Sequence, residues 1–297
     1  ANRFLKSKAF CAANTTGKIS FGEFATDPCR TLFGRVAAIF NPKLTDNCCV
    51  NVSAYARAAV AFTETSLPVR FSPDTLETLG VFGYESALKG QISTAHPHYD
   101  AKRACHYNYI ADLGLRSVYR LISINDDGAE RQIAEIPVKR PSYMHSFGMS
   151  EEHLILTEFP LVVNPIDLRL SGKPFIRNYR WEPERGLRFH VIEKNSGRLV
   201  RSVTADATFA FHHVNAFADG DGLAVDFIAY PDSSAIDQLY LARLRASAPV
   251  TATGKLTRFR VPLHSDAPVT RRILVDAPIE LPRINYEGHA GKLYRYL

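Results

Sequence analysis

Short runs rich in Val, Ile, Tyr, Phe and Thr recur along this chain, separated by clusters of Gly, Pro, Asn and Asp. Side chains alternate between the two faces of a strand, and β-branched and aromatic residues suit that pleated, half-buried surface. The pattern predicts strands at residues 49–55, 58–63, 105–110, 117–124, 154–159, 188–193, 223–230, 238–244, 256–261 and 272–275. Two of the separators are hairpin turns. Asn125-Asp126-Asp127-Gly128 and Lys194-Asn195-Ser196-Gly197 each end in the glycine that a tight connection with positive φ requires. One segment shows helical spacing instead: over residues 30–40, Leu32, Phe33, Val36, Ile39 and Phe40 recur at three- and four-residue steps behind an Asp27-Pro28 start. Such a helix either faces the core or lies on a membrane, with Arg30 and Arg35 flanking its apolar face.

An all-β chain of many short strands is a sandwich, a barrel or a propeller. No linker or low-complexity segment interrupts it, so residues 1–297 read as a single domain. With 46% hydrophobic and 22% charged residues it can bury a large core. Its apolar stretches, such as Leu154-Ile155-Leu156, end well short of the roughly 20 residues a spanning helix needs. Five cysteines (Cys11, Cys29, Cys48, Cys49, Cys105) show no CxxC spacing. That odd count argues against a disulfide framework, and a reducing, cytoplasmic setting is expected. The formal charge of +6 is scattered, with basic runs no longer than pairs such as Lys139-Arg140. Nucleic acid is therefore not expected as a partner, and an anionic membrane surface fits better. The sequence opens at Ala1 without a targeting segment and stops after strand-like residues 291–296, so both ends are expected to be cut.

Three of the ten histidines sit in similar surroundings at the edges of strand-like runs: Thr94-Ala95-His96-Pro97-His98, Met144-His145-Ser146-Phe147-Gly148 and Phe211-His212-His213-Val214-Asn215. Their separations of 49 and 67 residues exclude a zinc finger and the HExxH helix. They match one or two four-stranded blades of roughly 40–50 residues each. Equivalent positions on successive propeller blades meet at the central axis, so such histidines could converge on one point. A lone strand histidine is more commonly a surface or hydrogen-bonded residue, and spacing alone assigns no metal. Three imidazoles without cysteine suit Fe(II), Zn(II) or copper alike. Metal-bound histidines usually pass their other ring N–H to a carboxylate. Glu64 in Phe62-Thr63-Glu64-Thr65 and Glu280 in Pro278-Ile279-Glu280-Leu281-Pro282 sit in apolar surroundings that call for such a partner. Each could equally turn outward from an edge strand.

At these residues the chain resembles the carotenoid cleavage oxygenase family, in particular its animal-type branch. The resemblance runs, in order, through Thr45-Asp46-Asn47-Cys48, Thr63-Glu64-Thr65, Asp74-Thr75-Leu76-Glu77-Thr78, Ala95-His96-Pro97-His98, Ser142-Tyr143-Met144-His145, Phe211-His212-His213-Val214-Asn215 and Leu281-Pro282-Arg283-Ile284-Asn285-Tyr286. It implies an all-β, seven-bladed β-propeller with a small helical and loop cap, of which this chain would be the central part. It further implies Fe(II) on four histidines, three of them backed by glutamates. His96, His145 and His212 resemble three ligands, Glu64 and Glu280 two of the backing carboxylates, and Thr63 a residue lining the substrate cavity. The fourth histidine and third glutamate are expected beyond Leu297. His98 and His213 would be neighbours that do not touch the metal.

The implied activity is a non-haem iron dioxygenase that cleaves a conjugated C=C bond of a carotenoid or apocarotenoid with O2, giving aldehydes. The resemblance also covers a retinyl-ester isomerohydrolase using iron as a Lewis acid, and a truncated, non-catalytic propeller that binds carotenoid or lipid remains an alternative. Asp27-Pro28-Cys29-Arg30 resembles the box that leads the family's membrane-facing helix. Cys29, Leu32, Phe33, Val36 and Phe40 are thus the expected contacts of a peripheral membrane protein. Strand alternation would turn Phe62, Phe147 and Phe211 away from the metal.

Overall fold

The alternating segments fold into antiparallel meanders in the computed structural model, which describes residues 1–26, 44–83, 88, 90–246, 249 and 251–297. The chain forms two compact units, Ala1–Pro141 with Val163–Tyr179, and Ser142–Val162 with Arg180–Leu297.

The first unit opens with helix α1 (Lys8–Thr16). Ser7 caps its start by accepting from the Phe10 N–H, and Gly17, at φ +66°, closes its end. The Asp46 carboxylate accepts from the backbone N–H groups of Lys8 (2.8 Å) and Ala9 (2.9 Å), tying the Thr45-Asp46-Asn47-Cys48 motif to the positive end of the helix. Strands β1 (Asn51–Tyr55), β2 (Ala58–Phe62), β3 (Val69–Phe71) and β4 (Thr78–Val81) follow one another across one sheet. A second sheet runs β5 (Ile92–Ser93), β7 (Cys105–Asp112), β8 (Ser117–Asn125) and β9 (Glu130–Val138), with β6 (His98–Asp100) also paired to β7.

In the second unit one sheet has the order β10 (Gly148–Met149), β11 (His153–Glu158), β14 (Leu187–Glu193) and β15 (Leu199–Ala205). A small ribbon of β12 (Leu161–Val162) and β13 (Arg180–Trp181) is inserted within it. The last sheet is β16 (His213–Asp219), β17 (Gly222–Ala229), β18 (Lys255–Pro262) and β19 (Thr270–Val275). Central strands β7 and β17 are buried almost end to end, whereas outer strand β19 is nearly all exposed. An apolar seam of Phe189, Phe227 and Phe259 binds the two sheets of this unit, with Phe227 and Phe259 stacked at 4.6 Å.

Both predicted hairpins form, with Gly128 at φ +91° and Gly197 at φ +71°. Residues 238–244 do not form the predicted strand. Gln238 ends one short helix, Ser234–Gln238, residues 241–244 lie in a second, Leu241–Arg245, and Leu239 and Tyr240 join the two. The Ser234 N–H donates to the Asp232 carboxylate at the start, and Ala, Leu and Arg are strong helix formers. Residues 291–296 form turns and irregular backbone, tied by side-chain hydrogen bonds rather than by a strand ladder. Helix α1 was not among the predicted elements. The predicted helix at residues 30–40 lies outside the described residues.

Candidate metal centre

In the second unit a serine joins two histidine-bearing segments. Ser146 Oγ donates to the Phe211 carbonyl (2.6 Å) and accepts from the His213 backbone N–H (2.8 Å). One hydroxyl thereby fastens the chain around His145 to the turn that enters β16. The His145 and His212 rings consequently lie 4.9 Å apart, nearly perpendicular. Phe211 sits edge-on to His145 at 5.6 Å. Residue 211 precedes β16, so strand alternation does not govern its direction. The Tyr143 hydroxyl approaches His145 Nδ1 at 3.3 Å.

His212 is half-buried and passes Nδ1–H to Glu280 Oε2 at 2.8 Å. That bond assigns the tautomer in which Nε2 carries the lone pair, the form a metal requires. Glu280 also accepts from the Leu281 N–H at Oε2 and from the Tyr230 hydroxyl at Oε1 (3.0 Å). Burial pushes its carboxyl up, yet the hydrogen bond and charge of His212, helped by Leu281 and Tyr230, outweigh that and hold it below the usual carboxylate range. It stays an acceptor.

His213 is arranged differently. Its Nδ1 meets Ser146 Oγ at 2.8 Å and its Nε2 meets Thr157 Oγ1 at 2.9 Å. Since the Ser146 proton goes to Phe211, His213 donates from Nδ1 and accepts at Nε2 from Thr157. Its ring packs on Phe227 at 5.2 Å. Both ring nitrogens are engaged by hydroxyls.

In the first unit, His96 follows β5 on a short loop held from two sides. The Asn51 amide donates to the Ala95 carbonyl (2.9 Å) and the Asn108 amide to the Thr94 carbonyl (3.1 Å). Thr94 Oγ1 accepts from the His96 N–H at 3.0 Å. Thr63 and Glu64 follow β2, with Thr63 buried and Glu64 half-buried. The Glu64 carbonyl accepts from the Ser93 N–H (3.2 Å), so the glutamate and His96 loops are laced to the same strand, β5. His98 lies in β6, opposite Tyr107. Cys29, Leu32, Phe33, Val36 and Phe40 lie outside the described residues.

Sequence reasoning missed Ser146 and Tyr230. The serine within Met144-His145-Ser146-Phe147-Gly148 was visible as a neighbour of a candidate ligand, but nothing local told that it would reach residues 211–213. Among the described residues no helix is long and apolar enough to cross a membrane.

A family model described as retinal pigment epithelial membrane protein matches residues 1–297. The chain is 29% identical to a carotenoid isomerooxygenase of Galleria mellonella, over 99% of this chain and 62% of that protein. It is 28% identical to a human beta,beta-carotene 15,15'-dioxygenase, over the whole of this chain and 64% of that protein. It thus spans less than two thirds of the length of these relatives. A crystal structure of an ACO/RPE65 chimera superposes with a TM-score of 0.83 at 21% identity, over 99% of this chain and 61% of the other. That likeness shows the fold: the four-stranded sheets are blades of a β-propeller, incomplete in this chain.

Proposed function

The chain belongs to the retinal pigment epithelial membrane protein family of carotenoid oxygenases, and from that premise we propose that it is the central part of a non-haem iron dioxygenase. The reaction is cleavage of a conjugated C=C bond of a carotenoid or apocarotenoid to aldehydes. The observation that carries the reading is the His212–Glu280 hydrogen bond beside the ring of His145. A metal ligand needs that tautomer and that acceptor, and a solvent-facing histidine needs neither.

His96, His145 and His212, the three histidines of the motifs, each offer one imidazole nitrogen and are assigned as ligands of one metal ion. Neutral nitrogen donors fit Fe(II), and the fourth histidine and a third carboxylate belong to the part of the protein beyond Leu297. Glu280 orients His212, and Glu64 is assigned the same duty toward a second histidine. Bound iron would supply the one-electron chemistry that lets triplet O2 react with a closed-shell polyene. The chain's own contribution is placement. Thr63 lines the cavity, and Phe211, Phe209 and Tyr143 form an aromatic wall beside His145. Such a wall excludes water and fixes which double bond lies at the metal, so regioselectivity follows from reach and shape.

Carotenoids are nearly insoluble in water, and the protein is assigned to the cytoplasm as a peripheral membrane protein. Cys29, Leu32, Phe33, Val36 and Phe40 are its lipid contacts. The test uses full-length protein loaded with Fe(II) under anaerobic conditions, then given β-carotene or an apocarotenal in detergent with O2. Stoichiometric iron and aldehyde formation, both lost in His145→Ala, are expected. Iron without O2 uptake on any polyene would contradict the dioxygenase reading and favour Lewis-acid isomerohydrolysis; absence of metal would contradict the histidine assignment.

A further inference from the structure

Glu280 has two oxygens, and its contact with His212 uses one of them. The other, Oε1, accepts from the Tyr230 hydroxyl at 3.0 Å. Tyr230 immediately follows β17 and is 6% exposed. Burial, together with the negative charge of Glu280, pushes its phenol well up, so the hydroxyl keeps its proton and acts as a donor.

Everything around that phenol fixes its direction. Its backbone forms a reciprocal pair with Phe209, Phe209 N–H to the Tyr230 carbonyl at 3.0 Å and Tyr230 N–H to the Phe209 carbonyl at 2.7 Å. Thr208 Oγ1 also donates to the Tyr230 carbonyl. Its ring stands edge-on to Phe211 at 5.8 Å. Gly254 closes the remaining side: a Cβ there would lie 2.9 Å from Tyr230 Cζ and 2.4 Å from Ile228 Cγ2. A side chain at 254 would displace the ring, so glycine is required by close approach. The Gly254 carbonyl accepts from the Ile279 N–H (3.0 Å), one residue before Glu280. The same glycine therefore seats the phenol and the backbone that carries the carboxylate.

We infer that Tyr230 is a positioning residue of the metal centre, acting through Glu280 to hold the His212 ring in the direction a metal requires. This rests on the reading of His212 as a ligand. Without the hydroxyl, Oε1 loses its partner and the Glu280 carboxylate is held through Oε2 alone, by His212 and the Leu281 N–H, which restrains its last torsion less. The His212 Nδ1–H bond then loosens, although burial and ring packing at position 230 are unchanged in Tyr230→Phe.

The test is Co(II) binding to the full-length protein, wild type against Tyr230→Phe, Glu280→Gln and the double variant. Release to a chelator and the d–d absorption spectrum are measured. Loss of a partner that orients a metal-bound histidine weakens metal by about 10–100-fold, which is expected for Glu280→Gln. One step further out, Tyr230→Phe is expected to keep full stoichiometry, release metal about 3–10-fold faster and shift the d–d bands. The double variant should release no faster than Glu280→Gln alone, because the two act through one group. An unchanged release rate and spectrum in Tyr230→Phe would overturn the inference, and so would additive effects in the double variant. Wild-type protein that holds no Co(II) would overturn the metal reading itself and this inference with it.

Discussion

Two adjacent histidines in this chain have opposite surroundings. His213 donates to a serine and accepts from a threonine, with its ring packed on Phe227. His212 donates to a carboxylate that is itself held by a tyrosine and a backbone N–H, and its ring faces that of His145. Both carry the proton on Nδ1, and what differs is the partner offered to each nitrogen. Hydroxyls on both sides make a packing element of His213. A carboxylate behind Nδ1 raises the basicity of Nε2, and on that ground His212 is proposed as a donor for a metal. The residue type is the same, and the neighbourhood assigns the role.

Exchanging the roles by mutation gives the largest effect first. His212→Ala in the full-length protein is expected to weaken metal binding by more than about 100-fold, beyond the range for losing an outer partner alone. Equilibrium metal titration measures it, and the melting of the metal-free protein should barely move. His213→Ala should show the reverse. It leaves the buried Ser146 and Thr157 hydroxyls without their imidazole and opens space beside Phe227, a loss of about 2–3 kcal/mol in denaturant unfolding. Metal affinity, measured where the variant is folded, should stay within about 3-fold of wild type. Similar metal loss in both variants would dissolve the distinction.

His106, in β7, is a third case. It is buried between the rings of Tyr55 (4.9 Å) and Tyr99 (4.7 Å), and its Nδ1 has no hydrogen-bond partner among the described residues. Burial lowers its affinity for a proton. With the folded value below the unfolded one, the unfolded chain takes up the proton first as pH falls. Stability from this site is therefore present at neutral pH and is lost below about 6.5. His106→Phe keeps a flat ring and removes the titration. The stability difference should move in favour of the variant between pH 7 and 5, and parallel curves would refute that. It is the smallest of the three effects.

The strands were readable because β-branched and aromatic runs between turn residues leave few other options, and the hairpins because Gly128 and Gly197 supply positive φ. The same reading failed at residues 238–244. There, Leu241 and Leu244 on a short helix and Leu239 in the turn before it are all exposed, so their spacing did not report a buried strand face. Helix α1 had a serine cap and a closing glycine in the sequence, but its apolar residues are contiguous and mostly small, Ala9 to Ala13 with one phenylalanine, so no helical periodicity marks it. At the site, His96, His145, His212, Glu64 and Glu280 stood out by their motifs. Ser146, Tyr230 and Gly254 did not. Their importance comes from contacts with residues 211–213, 280 and 230, and such long-range pairing is written in the fold rather than in any local spacing.

The most direct test of the central claim is anomalous diffraction at the iron edge from crystals of the full-length protein loaded with Fe(II) under anaerobic conditions. One peak at bonding distance from imidazole nitrogens of His96, His145 and His212, with Glu280 still on His212 Nδ1, is the predicted result. A site empty of iron after loading, or a peak held by other residues with these three histidines unligated, would contradict it.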